Sequence, residues 1–214
     1  MLITLSGIDS SGKTTQINNA IDYYSINKII FKVIWSRGGY TSIFNRLKHI
    51  LRKMFKNAIP DAGESPERDK IFKKKWVATL WLNIALIDMI IFYVFYYRLL
   101  NILGYTIIAD RYLWDTNIDF KLKFRNSNFE KKILWKILEN LSPKPDLSFL
   151  LTIPVEESLH RSNLKKEPFS ENLIQRKKRL GLYKDLIEKS KWDYIIDGMK
   201  PIDEVWLNIR NKLK

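Results

Sequence analysis

The stretch "LSGIDSSGKTTQ" (Leu5–Gln16) decides the fold of this chain. Within it, Gly7-Ile8-Asp9-Ser10-Ser11-Gly12-Lys13-Thr14 fits the pattern G-x-x-x-x-G-K-[ST] in full. The apolar run Leu2–Leu5 before it predicts a strand, and a helix is expected from Lys13. Glycines let backbone N–H groups turn inward with no Cβ in the way. The helix that follows adds its unpaired N-terminal donors and the positive end of its dipole. The segment therefore predicts a phosphate cradle for ATP, built from Gly7, Ser10, Ser11, Gly12, Lys13, Thr14 and Thr15. Lys13 reaches the β- and γ-phosphates, and the Thr14 hydroxyl is a Mg²⁺ ligand.

A second anchor is expected at the end of another strand. "YTIIAD" (Tyr105–Asp110) supplies Asp110 after an apolar run, and Arg111 follows it. Asp110 is read as a Mg²⁺ ligand, directly or through water, and Arg111 as a holder of the acceptor phosphate. Short apolar runs alternate with longer amphipathic ones along the whole chain, the pattern of a parallel sheet covered by helices. Strands are expected at Leu2–Leu5, Ile29–Trp35, Tyr105–Ala109, Leu147–Thr152 and Tyr194–Ile196. Helices are expected to begin near Lys13, Thr41, Lys74, Phe129, Val155, Asn172 and Ile202. The polar, Pro- and Gly-bearing segment Lys56–Lys70 reads as an exposed loop.

The chain has 214 residues and a formal charge of +14, which suits a single domain with an anionic partner or a solvated basic surface. It has no cysteine, so disulfides and thiolate metal sites are excluded. No nucleic-acid recognition motif accompanies the basic charge, and no nucleic-acid partner is expected. No basic n-region precedes Leu2–Leu5, which is too short for a signal h-region; the expected location is cytoplasmic.

Between Trp76 and Tyr97 the only formal charge is Asp88. The length suffices to span a bilayer. A single crossing would nevertheless put the strands on either side of it, Leu2–Leu5 and Tyr105–Ala109, across the membrane from each other. They could not then share a sheet. Asp88 at the bilayer centre would also cost roughly 2.5–3.5 kcal/mol on insertion scales. Apolarity all round a helix is better met by a core on one side and a second subunit on the other. A homodimer through this helix is expected, with peripheral membrane contact as the weaker alternative.

With these motifs in order, the chain resembles the thymidylate kinase family of P-loop nucleoside monophosphate kinases over nearly its whole length. "WSRGG" (Trp35–Gly39) resembles the family's Arg-bearing turn, with Arg37 at its phosphate-region arginine. "ADRY" (Ala109–Tyr112) matches its Asp-Arg-Tyr motif. Residues Lys144–Arg161 resemble its fourth strand and the helix entering its lid, and Ile195–Ile209 its last strand, adenine-side loop and terminal helix. The resemblance implies a three-layer P-loop fold with a five-stranded parallel sheet in the order 2-3-1-4-5. It also implies a helical lid over about residues 160–178 within one domain, 1–214. Lys13, Arg111, Asp9 and Arg161 would be catalytic, and Asp9, Arg37, Arg111 and Tyr112 would bind the acceptor. The reaction implied is transfer of the ATP γ-phosphoryl group to dTMP.

Two departures bear on the acceptor. Met89 stands where the family usually has an arginine, and no glutamine matches the base-contacting one after the Asp-Arg-Tyr motif. The pattern "DRYLWDTNID" resembles a divergent branch, whose members can occur among bacterial surface-polysaccharide genes. Alternatives are therefore a kinase for another nucleotide, a nucleoside or a sugar phosphate, and a nucleotide-binding protein without transfer activity.

Overall fold

A computed structural model describes residues 1–36, 75–124, 127–165 and 171–213. Five parallel strands form one sheet: β1 (Leu2–Gly7), β2 (Phe31–Trp35), β3 (Thr106–Asp110), β4 (Leu147–Thr152) and β5 (Tyr194–Asp197). Their order is β2-β3-β1-β4-β5, the expected 2-3-1-4-5. The centre of the sheet is β1, flanked in parallel register by β3 (Leu5 opposite Asp110) and β4 (Gly7 opposite Leu151). Successive side chains of a strand point to opposite faces. Both faces of β1 are buried, so its alternation gives way to a continuous buried run. The edge strand β2 leaves Val33 and Trp35 exposed.

The first helix, α1, spans Lys13–Ile26. Its Ile17, Ala20 and Tyr24 form one core with Ile3, Leu5, Ile108, Phe149, Leu151 and Ile196 of the strands. Val205 and Ile209, from the last helix (Ile202–Arg210), join the same cluster. This layer fixes α1 beneath the C-terminal ends of the strands, where parallel α/β sheets place their ligands.

The long apolar segment forms one continuous helical stretch: α2 (Lys75–Met89), a π-helical run (Ile90–Tyr96) and α3 (Tyr97–Ile102). Aromatic residues four apart meet along it, Phe92 with Tyr96 and Tyr93 with Tyr97, each pair with centroids 5.4 Å apart. Leu82, Leu86, Met89 and Tyr93 are buried, whereas Trp76, Leu80, Ile87, Ile91 and Phe95 are exposed. This stretch is long and apolar enough to cross a membrane by length and composition only, a test that the core helix of a globular protein also passes.

A further helix, α4 (Leu113–Lys123), was not expected from the sequence. Its Asp115, Thr116, Asn117 and Asp119 are buried together with Ile118 and Phe120, so no polar face alternates with an apolar one. The helix expected from Phe129 begins instead as a single 3₁₀ turn, Phe129–Lys131. The extended backbone of Lys132 ends that turn, and α5 (Ile133–Leu141) starts after it. The next helices are α6 (Val155–Lys165) and α7 (Leu173–Glu188). Asn172 opens α7 with a reciprocal capping box to Gln175, and the last helix, Ile202–Arg210, is α8.

The chain divides into two compact units, each discontinuous in sequence. The first comprises Met1–Ser36, Leu99–Ile118 and Lys144–Lys214, and holds the sheet. The second comprises Arg37–Arg98 and Asp119–Pro143. Its described part includes an edge-to-face aromatic cluster in which Phe129 lies 4.9 Å from Trp135 and 5.7 Å from Phe120. Arg37, the helix expected near Thr41 and the loop Lys56–Lys70 lie outside the described residues.

Candidate active site

The site is built where β1 and β3 end side by side. The backbone leaves β1 through Gly7 at φ 146°, turns at Ser10 with φ 60° and enters α1 through Gly12 at φ 98°. These values suit glycine at both ends of the loop. A Cβ on Gly7 would lie 2.5 Å from the Leu151 carbonyl oxygen, so β4 itself forbids a side chain there. Among the described residues no side chain caps α1, and its first N–H groups stay available to an anion.

Lys13 is folded back into this loop. Its Nζ donates to the carbonyls of Gly7 at 3.0 Å and Ile8 at 2.9 Å, and lies 3.5 Å from Ser11 Oγ. Burial lowers its pKa from 10.5 to about 8, and the neighbouring Arg111 charge adds to that effect. Asp110, Asp9 and Asp115 oppose the shift, so all four side chains share one electrostatic neighbourhood with Lys13. Burial pushes the Asp110 carboxyl upward against the pull of Lys13 and Arg111. Its Oδ1 is buried without a hydrogen-bond partner among the described residues. Thr14 is exposed and Thr15 half-buried at the start of α1.

Arg111 takes a backbone conformation uncommon for a residue with a side chain, φ 73°. Two hydrogen bonds hold it there: its N–H donates to the Leu5 carbonyl at 2.9 Å, and Ser36 Oγ donates to its own carbonyl at 2.9 Å. The kink turns the side chain into the site. Its guanidinium pairs with the Asp9 carboxylate, donates to Tyr183 Oη at 3.4 Å and lies 3.6 Å from Asp115 Oδ1. Asp9 is held in turn by its backbone, because Ser158 Oγ donates to its carbonyl at 2.7 Å. The fully buried Arg176 of α7 braces that serine, donating to Ser158 O at 3.0 Å and to Ser162 Oγ at 2.8 Å.

Lys13, Asp9, Asp110 and Arg111 thus converge. Tyr112 is buried, and its N–H donates to Asp115 Oδ2 at 3.1 Å. Arg161 is engaged elsewhere: it pairs with Glu157 at 2.6 Å and donates to the Gly198 carbonyl at 3.2 Å, in the loop after β5. Gly198 packs against the phosphate loop, where an added Cβ would lie 2.9 Å from the Ser11 carbonyl oxygen. Met89 is fully buried in α2. Sequence reasoning missed Asp115, Ser158, Arg176 and Tyr183. The four-residue spacing of Arg111 and Asp115 is the signal available for Asp115; for the others the sequence offers none.

Residues 84–209 match the family model described as thymidylate kinase. That match begins after the phosphate loop, but similarity to individual proteins spans the chain. A thymidylate kinase from Sulfurihydrogenibium sp. is 31% identical over 218 residues, covering 99% of this chain and 96% of the relative. A probable thymidylate kinase from Pyrococcus abyssi is 28% identical and covers 95% of this chain and 90% of its own. Among solved structures, deoxyadenosine kinase from M. mycoides with bound dATP superposes with a TM-score of 0.59 at 13% identity. It covers 100% of this chain and 99% of the other, and that likeness shows the fold alone.

Proposed function

We propose that this chain, which belongs to the thymidylate kinase family, transfers the γ-phosphoryl group of ATP to dTMP, giving dTDP and ADP. The observation that carries the reading is the convergence of Lys13, Arg111, Asp9 and Asp110 at the adjoining ends of β1 and β3. Phosphoryl transfer asks chiefly for positioning and charge neutralisation. The acceptor phosphate must approach another polyanion, and two fixed cations lower that barrier. Lys13, drawn in by the Gly7 and Ile8 carbonyls, is assigned to the ATP phosphates. Arg111, held by Asp9 at one edge, is assigned to the acceptor phosphate. An acceptor that is already an anion needs no strong base, so Asp9 serves to orient Arg111 and the acceptor.

Asp110 and Thr14 fit a Mg²⁺ site. A buried carboxylate oxygen with no donor beside it is what an oxygen-seeking cation would satisfy, and an exposed hydroxyl opens α1. When bound, Mg²⁺ neutralises phosphate charge as it develops. The lid is assigned to residues 160–178, at whose base the Ser158–Arg176 bracing ties α6 and α7 to Asp9. The exposed apolar residues Trp76, Leu80, Ile87, Ile91 and Phe95 are assigned to a homodimer face. A monomer by light scattering at micromolar concentration would remove that assignment. Peripheral membrane contact is the weaker occupant of the same face, and a cytoplasmic location follows from the substrates.

A second reading, transfer to another phosphorylated acceptor, is favoured by Met89, which is buried where the family usually has an arginine. The test of both is ADP release from ATP against dTMP, other nucleoside monophosphates, nucleosides and sugar phosphates. Preference for dTMP is expected, and no turnover with dTMP beside turnover of another acceptor would replace it.

A further inference from the structure

We propose that Asp115 and Tyr183 are positioning residues that anchor one edge of the Arg111 guanidinium, leaving the opposite edge to pass from Asp9 to the acceptor phosphate. The inference deepens the function proposed above and rests on it. The two edges of this guanidinium have unlike environments. One Nη meets Asp9, whose side chain is 22% exposed. The other Nη meets Tyr183 Oη and Asp115 Oδ1, and both of those residues are about 1% exposed. The Arg111 side chain is itself 4% exposed, and of its two edges the Asp9 edge lies beside the more exposed partner, so an incoming anion would meet it by displacing Asp9.

The buried edge is itself fixed. Asp115 Oδ2 accepts from Ser6 Oγ at 2.6 Å and from the Tyr112 N–H at 3.1 Å, which orients the carboxylate from β1 and from the β3–α4 turn. Asp115 Oδ1 then accepts from the Tyr183 hydroxyl, which comes from α7. Burial and the Asp115 carboxylate push the Tyr183 hydroxyl well above its ordinary pKa, so it remains a donor to Asp115 and an acceptor from Arg111. Three separate chain segments thus hold one plane of Arg111. A guanidinium fixed in its plane presents its remaining N–H donors to a phosphate at little further cost in entropy. Asp115 and Tyr183 touch the Arg111 guanidinium itself, whereas Asp115 acts on Lys13 of the cradle through its charge, so their effect is expected chiefly at the acceptor.

The test uses the full chain with Tyr183→Phe and Asp115→Asn, assayed with ATP and dTMP. The KM for dTMP is expected to rise about tenfold or more, the loss of a buried, charge-assisted hydrogen bond. The KM for ATP should stay within about twofold of wild type. In the ligand-free protein, the Nη–H resonances of Arg111 in ¹H–¹⁵N spectra should broaden into exchange in both variants. An unchanged dTMP KM in a Tyr183→Phe protein with wild-type melting, or KM values for ATP and dTMP that rise together, would overturn the anchor. If Asp115→Asn fails to fold, Tyr183→Phe decides alone. If wild type does not phosphorylate dTMP, the proposed acceptor falls, and the Arg111 resonances still judge the anchor: persistence in both folded variants rejects it.

Discussion

The phosphate loop and the turn after β3 lie side by side, and they are made of different material. From Gly7 to Thr14 the working groups are largely backbone, and local geometry shapes them: Gly7 and Gly12 at positive φ, then an uncapped helix start. From Asp110 to Asp115 the working groups are side chains. They are shaped by partners far away in sequence: Ser6, Ser36, Asp9 and Tyr183. A backbone cradle is robust because eight consecutive residues carry it. A side-chain cluster is adjustable because each partner comes from a different element.

The largest test of this contrast is Lys13→Ala, the cradle position whose side chain supplies the cation. Turnover should fall by roughly 10³-fold or more, as when a preorganised charge is removed from a phosphoryl-transfer site. The melting temperature should hold or rise, because the variant removes a cation whose burial is unfavourable. Retained full turnover would sink the mechanism. Next is Gly7→Ala, whose Cβ would collide with the Leu151 carbonyl oxygen. It should cost about 1–3 kcal/mol of stability, read by denaturant unfolding, and weaken ATP binding. Gly12→Ala meets only ordinary contact at 3.8 Å and should cost less, about 1–2 kcal/mol from its positive φ.

The turn after β3 is probed by Asp110→Asn. Turnover should fall about 10²-fold with a raised Mg²⁺ requirement, while stability holds or improves, because burial already disfavours this carboxylate. An unchanged Mg²⁺ titration would remove Asp110 from the metal site. A milder, pH-dependent effect separates the two regions without mutation. The folded pKa of Lys13, about 8, lies below its unfolded value of 10.5. Between those values the unfolded chain binds more protons, so this group's contribution to stability rises with pH. ATP needs the charged lysine, so kcat/KM for ATP should decline above about pH 8 in the same window. The smallest effect is expected from Arg161→Ala. Arg161 is held by Glu157 and by the carbonyl of Gly198, which packs against the phosphate loop, so the KM for ATP should rise about threefold with the KM for dTMP unchanged.

Much of the fold was legible because its signals are local. Strands read as apolar runs, α1 follows the glycine loop, and α7 begins where a helix was expected, near Asn172. The helix α4 was not legible, since four of its buried positions are polar and the usual periodicity is inverted there. The apolar stretch from Trp76 was read as core on one side and a subunit face on the other; in the single chain Leu82, Leu86, Met89 and Tyr93 are buried and a row of its apolar residues is exposed. Of the site, Lys13, Asp110 and Arg111 were legible from motif and strand-end position, and Asp9 from the family resemblance. Asp115, Ser158, Arg176 and Tyr183 were not, because hydroxyls, a carboxylate and an arginine on helices read as solvated faces until their partners are known. Met89 was legible as a departure, but its full burial was not. An arginine introduced there would enter a core position rather than an open pocket.

By itself the sequence determined the parallel α/β class, the phosphate cradle and the Asp-Arg pair, because each depends on neighbours within a few residues, where chain geometry alone dictates the outcome. Tertiary structure alone decided which buried polar groups meet. Arg111 acquires its pose from β1, α4 and α7 together. Long-range hydrogen bonds depend on where elements come to rest, and no local spacing encodes that.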